Sequence, residues 1–241
     1  MAKKLKVGIV GVGAIWKSHL QGWQQSADAE LVAMADINPE ALKKAGDSAG
    51  VKLLYEKAAD LFANPDIDII DICTANQFHA PLAIAALQAG KHVICEKPLA
   101  PTPALIKEMI AARDRSGKLL MAGQNYRFET SSITLKSEID SGTLGQIYHA
   151  RCHSLRRSGA STRASFVSQA LSGGGPCIDI GVHILDLTLW FMGNPKPVSV
   201  TGVTQDKLAK QPNAFIGNGS VIPDYWDVEE FASAFVRFDS G

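Results

Sequence analysis

The sequence predicts an α/β chain: a doubly wound parallel sheet in the first half, then an α+β region with an open, largely antiparallel sheet. Three observations carry this prediction. Short, nearly continuous apolar runs (LKVGIV, LVAMAD, IDIIDIC, KHVICE) alternate with helix-length segments as far as Gln124. Such runs suit parallel strands covered on both faces. After Gln124 the rhythm breaks, and QIYHARCHSL, PVSVTGVTQ and EEFASAFVRF show the partial alternation of strands with one exposed face. The 241 residues, 46% hydrophobic and 20% charged, suffice for one large domain or two modest ones.

The elements follow in order. LKVGIV is a strand and Ala14 to Ser26 a helix; LVAMAD is a strand and Pro39 to Ala49 a helix. Leu61-Phe62 closes a short helix before the strand IDIIDIC. Phe78 to Ala89 is an Ala-rich helix ended by Gly90, KHVICE a strand, and Pro103 to Arg115 a helix ended by Gly117. KLLMAGQ closes the parallel set. The boundary falls near residues 123–128, giving domains 1–124 and 125–241. In the second, Phe128 to Ser141 is a helix ended at Gly142, and Pro176 to Met192 a helix between the strand-like runs. Loops 156–175 and 205–225 are rich in Gly, Ser, Asn and Pro and are expected to be mobile flaps. Asp239-Ser240-Gly241 has the look of a hairpin turn with no returning strand, so the sequence is expected to be truncated, or completed by another chain.

Composition excludes several classes. Lys plus Arg equals Asp plus Glu at 24 each, so no basic excess points to nucleic acid or to a membrane surface. The longest apolar runs are strand-length, too short to span a bilayer. MAKKLKVGIVG passes from two lysines into a strand that glycines interrupt, unlike a secretory signal. Cys73, Cys95, Cys152 and Cys177 lack C-x-x-C spacing, which suggests reduced thiols in a cytoplasmic protein and no zinc site.

The first chemistry-bearing stretch is VGVGAIWKSH, between the first strand and first helix. Gly11 allows a tight turn. Gly13 lets backbone approach a pyrophosphate seated on the helix N-terminus, with Ala14 and Ile15 beside it. Asp36 ends the second strand, 23 residues after Gly13, where a carboxylate accepts adenosine ribose hydroxyls. The same carboxylate repels a 2′-phosphate, so NAD is favoured over NADP. Alternatively, Asp36 merely caps the Asn38-Pro39 turn. Trp16 stands where a third glycine usually secures close helix–strand packing; its ring is expected to turn outward or into a gap at the crevice, leaving a working variant of the turn.

Further candidates lie at the carboxyl ends of later strands, where open α/β sheets bind ligands. Thr74, Asn76 and His79 follow IDIIDIC and are placed to touch cofactor, or simply to cap a helix. KHVICE ends in Glu96 and runs into Lys97-Pro98, with Lys97 facing the same crevice, or solvated in its loop. In SGGGPCIDIGVHILDLTLWFMG, Asp179, His183 and Asp186 share one helix face at spacings of four and three. Ile180, Ile184, Leu187 and Phe191 form the opposite, core face. A histidine flanked by carboxylates suits acid–base work; a structural hydrogen-bond cluster or a metal site would use the same residues.

Together these stretches resemble the Gfo/Idh/MocA family of NAD(P)-dependent oxidoreductases: GVG (Gly11, Gly13), AD (Asp36), TANQFH (Thr74, Asn76, His79), CEKP (Glu96, Lys97, Pro98), NYRF (Asn125 to Phe128) and GGGPCIDIGVHILD (Gly173 to Asp186). The resemblance implies a Rossmann domain in 1–124 and a substrate and oligomerisation domain in 125–241. It also implies a polyol or sugar substrate between domains and a homodimer or homotetramer formed through the C-terminal sheet. By analogy Lys97, Asp179 and His183 form the catalytic group. His183 is then general base, Lys97 hydrogen-bonds the reacting oxygen, and Asp179 orients substrate, with Asn125, Tyr126 and Arg127 lining the pocket. Arg156, Arg157 and His153 reach it or are solvated. Two other functions fit the same motifs: a hydrolase or epimerase that recycles NAD, and a non-catalytic dinucleotide sensor.

Overall fold

The computed structural model describes residues 3–156, 161–209, 211 and 225–239. The chain divides into two compact units, Met1–Gly123 and Gln124–Gly241.

In the first unit, β1 (Leu5–Val10), β2 (Ala29–Ala35), β3 (Leu53–Tyr55), β4 (Ile69–Ile72), β5 (His92–Cys95) and β6 (Leu120–Ala122) form a parallel sheet of order β3-β2-β1-β4-β5-β6. The order reverses at β1, which pairs with β2 on one side and β4 on the other. The connecting helices are α1 (Trp16–Gln25), α2 (Pro39–Ala49), α3 (Ala58–Ala63), α4 (His79–Gln88) and α5 (Pro103–Ser116). Successive strand residues feed opposite cores. Val10, Ala33, Ala35, Ile70 and Ile72 pack with α3, α4 and α5, whereas Ile9, Met34 and Cys73 pack with α1 and α2. Burial on both faces is why these strands lack polar alternation.

Local chemistry sets the helix limits. Asn38 accepts hydrogen bonds from the Glu40 and Ala41 amides, Pro39 opens α2, and Gly50 ends it with φ 72°. Thr102 and Pro103 open α5 in the same way, and Gly117 ends it with φ 65°. Edge strand β3 is an addition to the expected set; it matches Leu53, Leu54 and Tyr55 to Ala33, Met34 and Ala35.

The second unit contains a 3₁₀ turn (Asn125–Phe128), α6 (Thr130–Asp140), α7 (Ala164–Val167), α8 (Gln169–Ser172), α9 (Val182–Phe191), β7 (Pro197–Gln205) and β8 (Phe231–Phe238). β7 and β8 pair antiparallel. The helix expected over Pro176 to Met192 is split: Cys177–Gly181 is a π-helical turn that runs into α9.

Two expectations are corrected here. QIYHARCHSL forms no strand among the described residues. Ile147 and Ala150 to His153 instead line an open apolar groove with Leu135 and Ile139 of α6 and Ile184, Leu187 and Phe191 of α9. Alternation assigns side chains to faces, but a strand also needs a partner's N–H and C=O groups. Ile180, Ile184, Leu187 and Phe191 are accordingly half-buried rather than core. Expected flap residues 157–160, 210 and 212–224, with Ser240 and Gly241 of the terminal turn, lie outside the described residues. No described helix is long and apolar enough to cross a membrane.

Candidate active site

Backbone hydrogen bonds continue one step past the strands and align the candidate residues along the sheet's carboxyl edge. The Gly11 amide donates to Ala35 and that of Cys73 to Val10, each at 2.8 Å. Asp36 donates to Tyr55 (3.1 Å), Glu96 to Ile72 (3.0 Å) and Gly123 to Cys95 (2.8 Å). Residues far apart in sequence thus form one row in the first unit, with Lys97 immediately after Glu96.

Gly11 and Gly13 differ in what demands glycine. Gly11 has φ +94°, and a Cβ there would lie 2.8 Å from the Cys73 carbonyl carbon. Sterics of the fold alone require it. A Cβ on Gly13 would meet nothing within 4 Å. Gly13, Ala14 and Ile15 are exposed at the start of α1. The open backbone at Gly13, ahead of a helix N-terminus, fits a dinucleotide pyrophosphate.

Asp36 is half-buried and ties this turn down. Its Oδ2 accepts the Val12 amide at 2.8 Å and its Oδ1 the Asn38 amide at 2.9 Å. These contacts show the turn-capping reading of Asp36 directly. The carboxylate holds the β2–α2 turn, and each oxygen keeps a further lone pair for a hydroxyl donor. Trp16 is corrected: its ring is 3% exposed and packs with Ile9, Val12, Met34 and Leu42. A bulky ring fills the helix–strand gap that a third glycine would close.

Thr74 and Asn76 are half-buried after β4, Asn76 opening a 3₁₀ turn before α4. His79 is 1% exposed. Its Nδ1 lies 2.7 Å from the Pro98 carbonyl and its Nε2 3.1 Å from that of Thr74. Burial pushes its pKa down, against the pull of those carbonyls. His79 thus joins the Thr74 turn to the loop after β5, where Lys97 is half-buried and the Lys97–Pro98 bond is cis.

The sequence reading missed His19. Its Nδ1 lies 2.9 Å from Asp71 Oδ2 and its Nε2 2.9 Å from Glu96 Oε1. Asp71, completely buried on β4, also accepts Trp23 Nε1 at 2.7 Å. Glu96 Oε2 accepts the Lys97 amide at 3.1 Å. Burial works against a charged imidazole, but its hydrogen bonds to Asp71, Cys73 and Glu96 outweigh that and raise His19 to about 12. Burial acts on Glu96 in the opposite sense, yet the His19 partner keeps it below the usual carboxylate range. One sequence signal existed: Asp71 is a carboxylate inside an apolar parallel strand, which demands a buried partner.

In the second unit the NYRF turn grips α9 at two points. Tyr126 stacks on the buried His183, and Arg127 makes a bidentate pair with Asp186, both bonds 2.6 Å. The Arg127 guanidinium also lies 5.5 Å from the Trp190 ring. Asn125 is exposed. Asp179 is half-buried in the π-helical turn, and its amide donates to Gly175 at 3.0 Å. The Gly175 amide donates to Glu229 Oε2 at 2.9 Å, and the Glu229 carbonyl occupies the space a Cβ would need. This close approach explains why position 175 is glycine. His153 and Arg156 are exposed, and Arg157 lies outside the described residues.

Comparisons with known proteins place both parts of the chain in one family. The Gfo/Idh/MocA family model described as "Oxidoreductase family, NAD-binding Rossmann fold" matches residues 5–124. The model for the family's C-terminal domain matches residues 133–241. The chain is 31% identical over 239 residues to D-glucoside 3-dehydrogenase of Escherichia coli K12, covering 98% of this chain and 68% of that protein. It is 29% identical over 189 residues to myo-inositol 2-dehydrogenase of Thermotoga maritima, covering 78% and 55%. A solved structure of levoglucosan dehydrogenase in complex with NADH superposes with a TM-score of 0.77 at 28% identity, covering 99% of this chain and 65% of that one. The chain therefore spans between about half and two thirds of the length of these relatives. The chain belongs to the Gfo/Idh/MocA family of oxidoreductases, and its first part is that family's NAD-binding Rossmann fold.

Proposed function

We propose that this chain carries the reacting residues of a dehydrogenase that moves a hydride between NAD and a secondary alcohol of a sugar, sugar derivative or cyclitol. The carrying observation is the row along the sheet's carboxyl edge, where the open Gly13 backbone, Asp36 and Lys97 follow β1, β2 and β5. The named relatives act on a glucoside, an inositol and levoglucosan, which supports a polyol substrate class.

Bound NAD supplies the hydride acceptor. Gly11 to Ile15 bind its phosphates, and Asp36 accepts its ribose hydroxyls and disfavours NADP. Thr74 and Asn76 complete the cofactor side, with buried His79 and Glu96 holding the loops behind them. His183 accepts the proton of the substrate hydroxyl. Lys97 donates a hydrogen bond to the reacting oxygen and stabilises its developing negative charge. Asp179 orients the substrate. Asn125 contacts substrate, while Tyr126 and Arg127 support that work by fixing α9. Residues 1–124 serve dinucleotide binding and 125–241 substrate binding and association. Val198, Val200, Val203 and Phe235 are exposed on β7 and β8, which supports self-association through this sheet.

The test is a panel of sugars and inositols offered with NAD⁺ or NADP⁺, read by the near-ultraviolet absorbance of the reduced nicotinamide. Accumulation of NADH with at least one polyol is expected. NAD binding without net reduction across the panel would replace this reading with a cofactor-recycling enzyme or a sensor.

A further inference from the structure

We propose that His19 is a positioning residue that couples the dinucleotide turn to the Lys97 loop, by clamping the Asp71 and Glu96 carboxylates together from α1. The inference rests on the reading above, in which the start of α1 seats NAD and Lys97 acts on substrate.

The geometry is specific. The two ring nitrogens point at different carboxylates, Asp71 at 2.9 Å and Glu96 at 2.9 Å. Ionised carboxylates only accept, so both contacts are made only when both nitrogens carry hydrogen. His19 is then an imidazolium between two anions of which one is completely buried and the other largely so. Each anion is fixed from a second side: Asp71 by Trp23 Nε1, one turn along α1, and Glu96 by the Lys97 amide. The connection runs from α1 through His19 to Glu96 and into the Lys97 backbone. Gly123 leaves room for it, since a Cβ there would lie 3.2 Å from Glu96 Oε1.

Removing the cation leaves Asp71 and Glu96 facing each other in a poorly hydrated space. One of them must then take up a proton or swing away. Glu96, the more exposed, is the one with room to swing away, and the Lys97 backbone then loses its anchor. The other titratable groups that sense this site are Cys73 of β4, Cys95 of β5, His79 of α4 and Lys97 itself. Burial keeps both thiols protonated through neutral pH, Cys73 being pushed up to about 12 and Cys95 well above its ordinary value.

The experiment compares the full chain with its His19→Gln variant. With a polyol from the panel, kcat is expected to fall about tenfold or more while the polyol KM stays within about threefold. NADH affinity should gain an ionisation between about pH 5 and pH 8 that the unaltered chain lacks, from the uncompensated Asp71–Glu96 pair. A merely structural loss would not create that ionisation. The binding profile needs no turnover, so it reads the coupling even if every polyol fails and the dehydrogenase reading falls. A variant with the unaltered chain's NADH pH profile overturns the proposal, as does a kcat within about twofold. If the variant does not fold, nitrogen-15 spectra of the unaltered chain decide. Two protonated His19 ring nitrogens at pH 8 support the clamp, and a neutral imidazole overturns it.

Discussion

Tyr126 lies flat against His183, with ring centroids 4.6 Å apart and planes inclined by 22°. The next residue, Arg127, reaches Asp186, three residues further along α9. Adjacent residues of one short turn thereby set both the position and the rotation of the helix that carries the proposed base.

The stack should be separable from the phenol. Tyr126→Phe keeps the ring and should stay within about 0.5 kcal/mol of the unaltered chain. Tyr126→Ala should cost about 1–3 kcal/mol in urea unfolding and lower kcat more than it raises the polyol KM. Equal kcat losses in both variants would mean that the hydroxyl, not the stack, matters.

Arg127 and Asp186 are partly exposed, at 33% and 20% of their side chains, so the pair is expected to be modest despite its bidentate geometry. A double-mutant cycle with Arg127→Ala and Asp186→Ala should give a coupling of about 1 kcal/mol that shrinks as salt is added. Arg127→Lys should recover little, because an ammonium cannot reproduce the fork.

The glycine turn yields three contrasting outcomes. Gly11→Ala forces a Cβ against the Cys73 carbonyl at positive φ and should destabilise the first unit. Gly13→Ala meets open space, so it should leave stability nearly unchanged while weakening NADH binding. Trp16→Gly, which restores the usual third glycine, should cost about 3–5 kcal/mol because it empties a packed site. Thermal melts and NADH titrations on the three variants separate these effects. A Trp16→Gly chain as stable as the original would show that the ring is not a core group.

The His19 cluster has a defined pH signature. Its folded-state pKa, about 12, stands above the ordinary 6.5. Its stabilisation is therefore complete below about pH 6.5 and declines as pH rises from there towards about 12. Glu96 is held below its ordinary 4.5, so its contribution is present above pH 4.5 and is lost as pH falls below it. Urea midpoints should thus decline on the alkaline side of pH 6.5, and His19→Gln should flatten that decline. An unchanged alkaline slope in the variant would rule out His19 as its source.

Much of this was legible in local sequence. Asn38-Pro39 and Thr102-Pro103 mark helix starts, Gly50 and Gly117 helix ends, and the apolar runs the parallel strands, because each depends on near neighbours. β3 escaped because three residues are too few to show a period. Residues 146–155 misled because alternation says nothing about a hydrogen-bonding partner. A missing third glycine suggests a ring turned outward or into a gap at the crevice, whereas Trp16 itself fills the space between helix and strand. The His19–Glu96 contact spans 77 residues and arises only when α1, β4 and β5 are side by side.

The dehydrogenase reading is tested most directly by measuring NADH formed from NAD⁺ and the best polyol of the panel, with the unaltered chain and with Lys97→Ala and His183→Ala. Sustained NADH formation is expected from the unaltered chain, and a kcat lower by about 10²–10⁴ in each variant. Undiminished NADH formation in both variants, or none from the unaltered chain with any polyol, would contradict it.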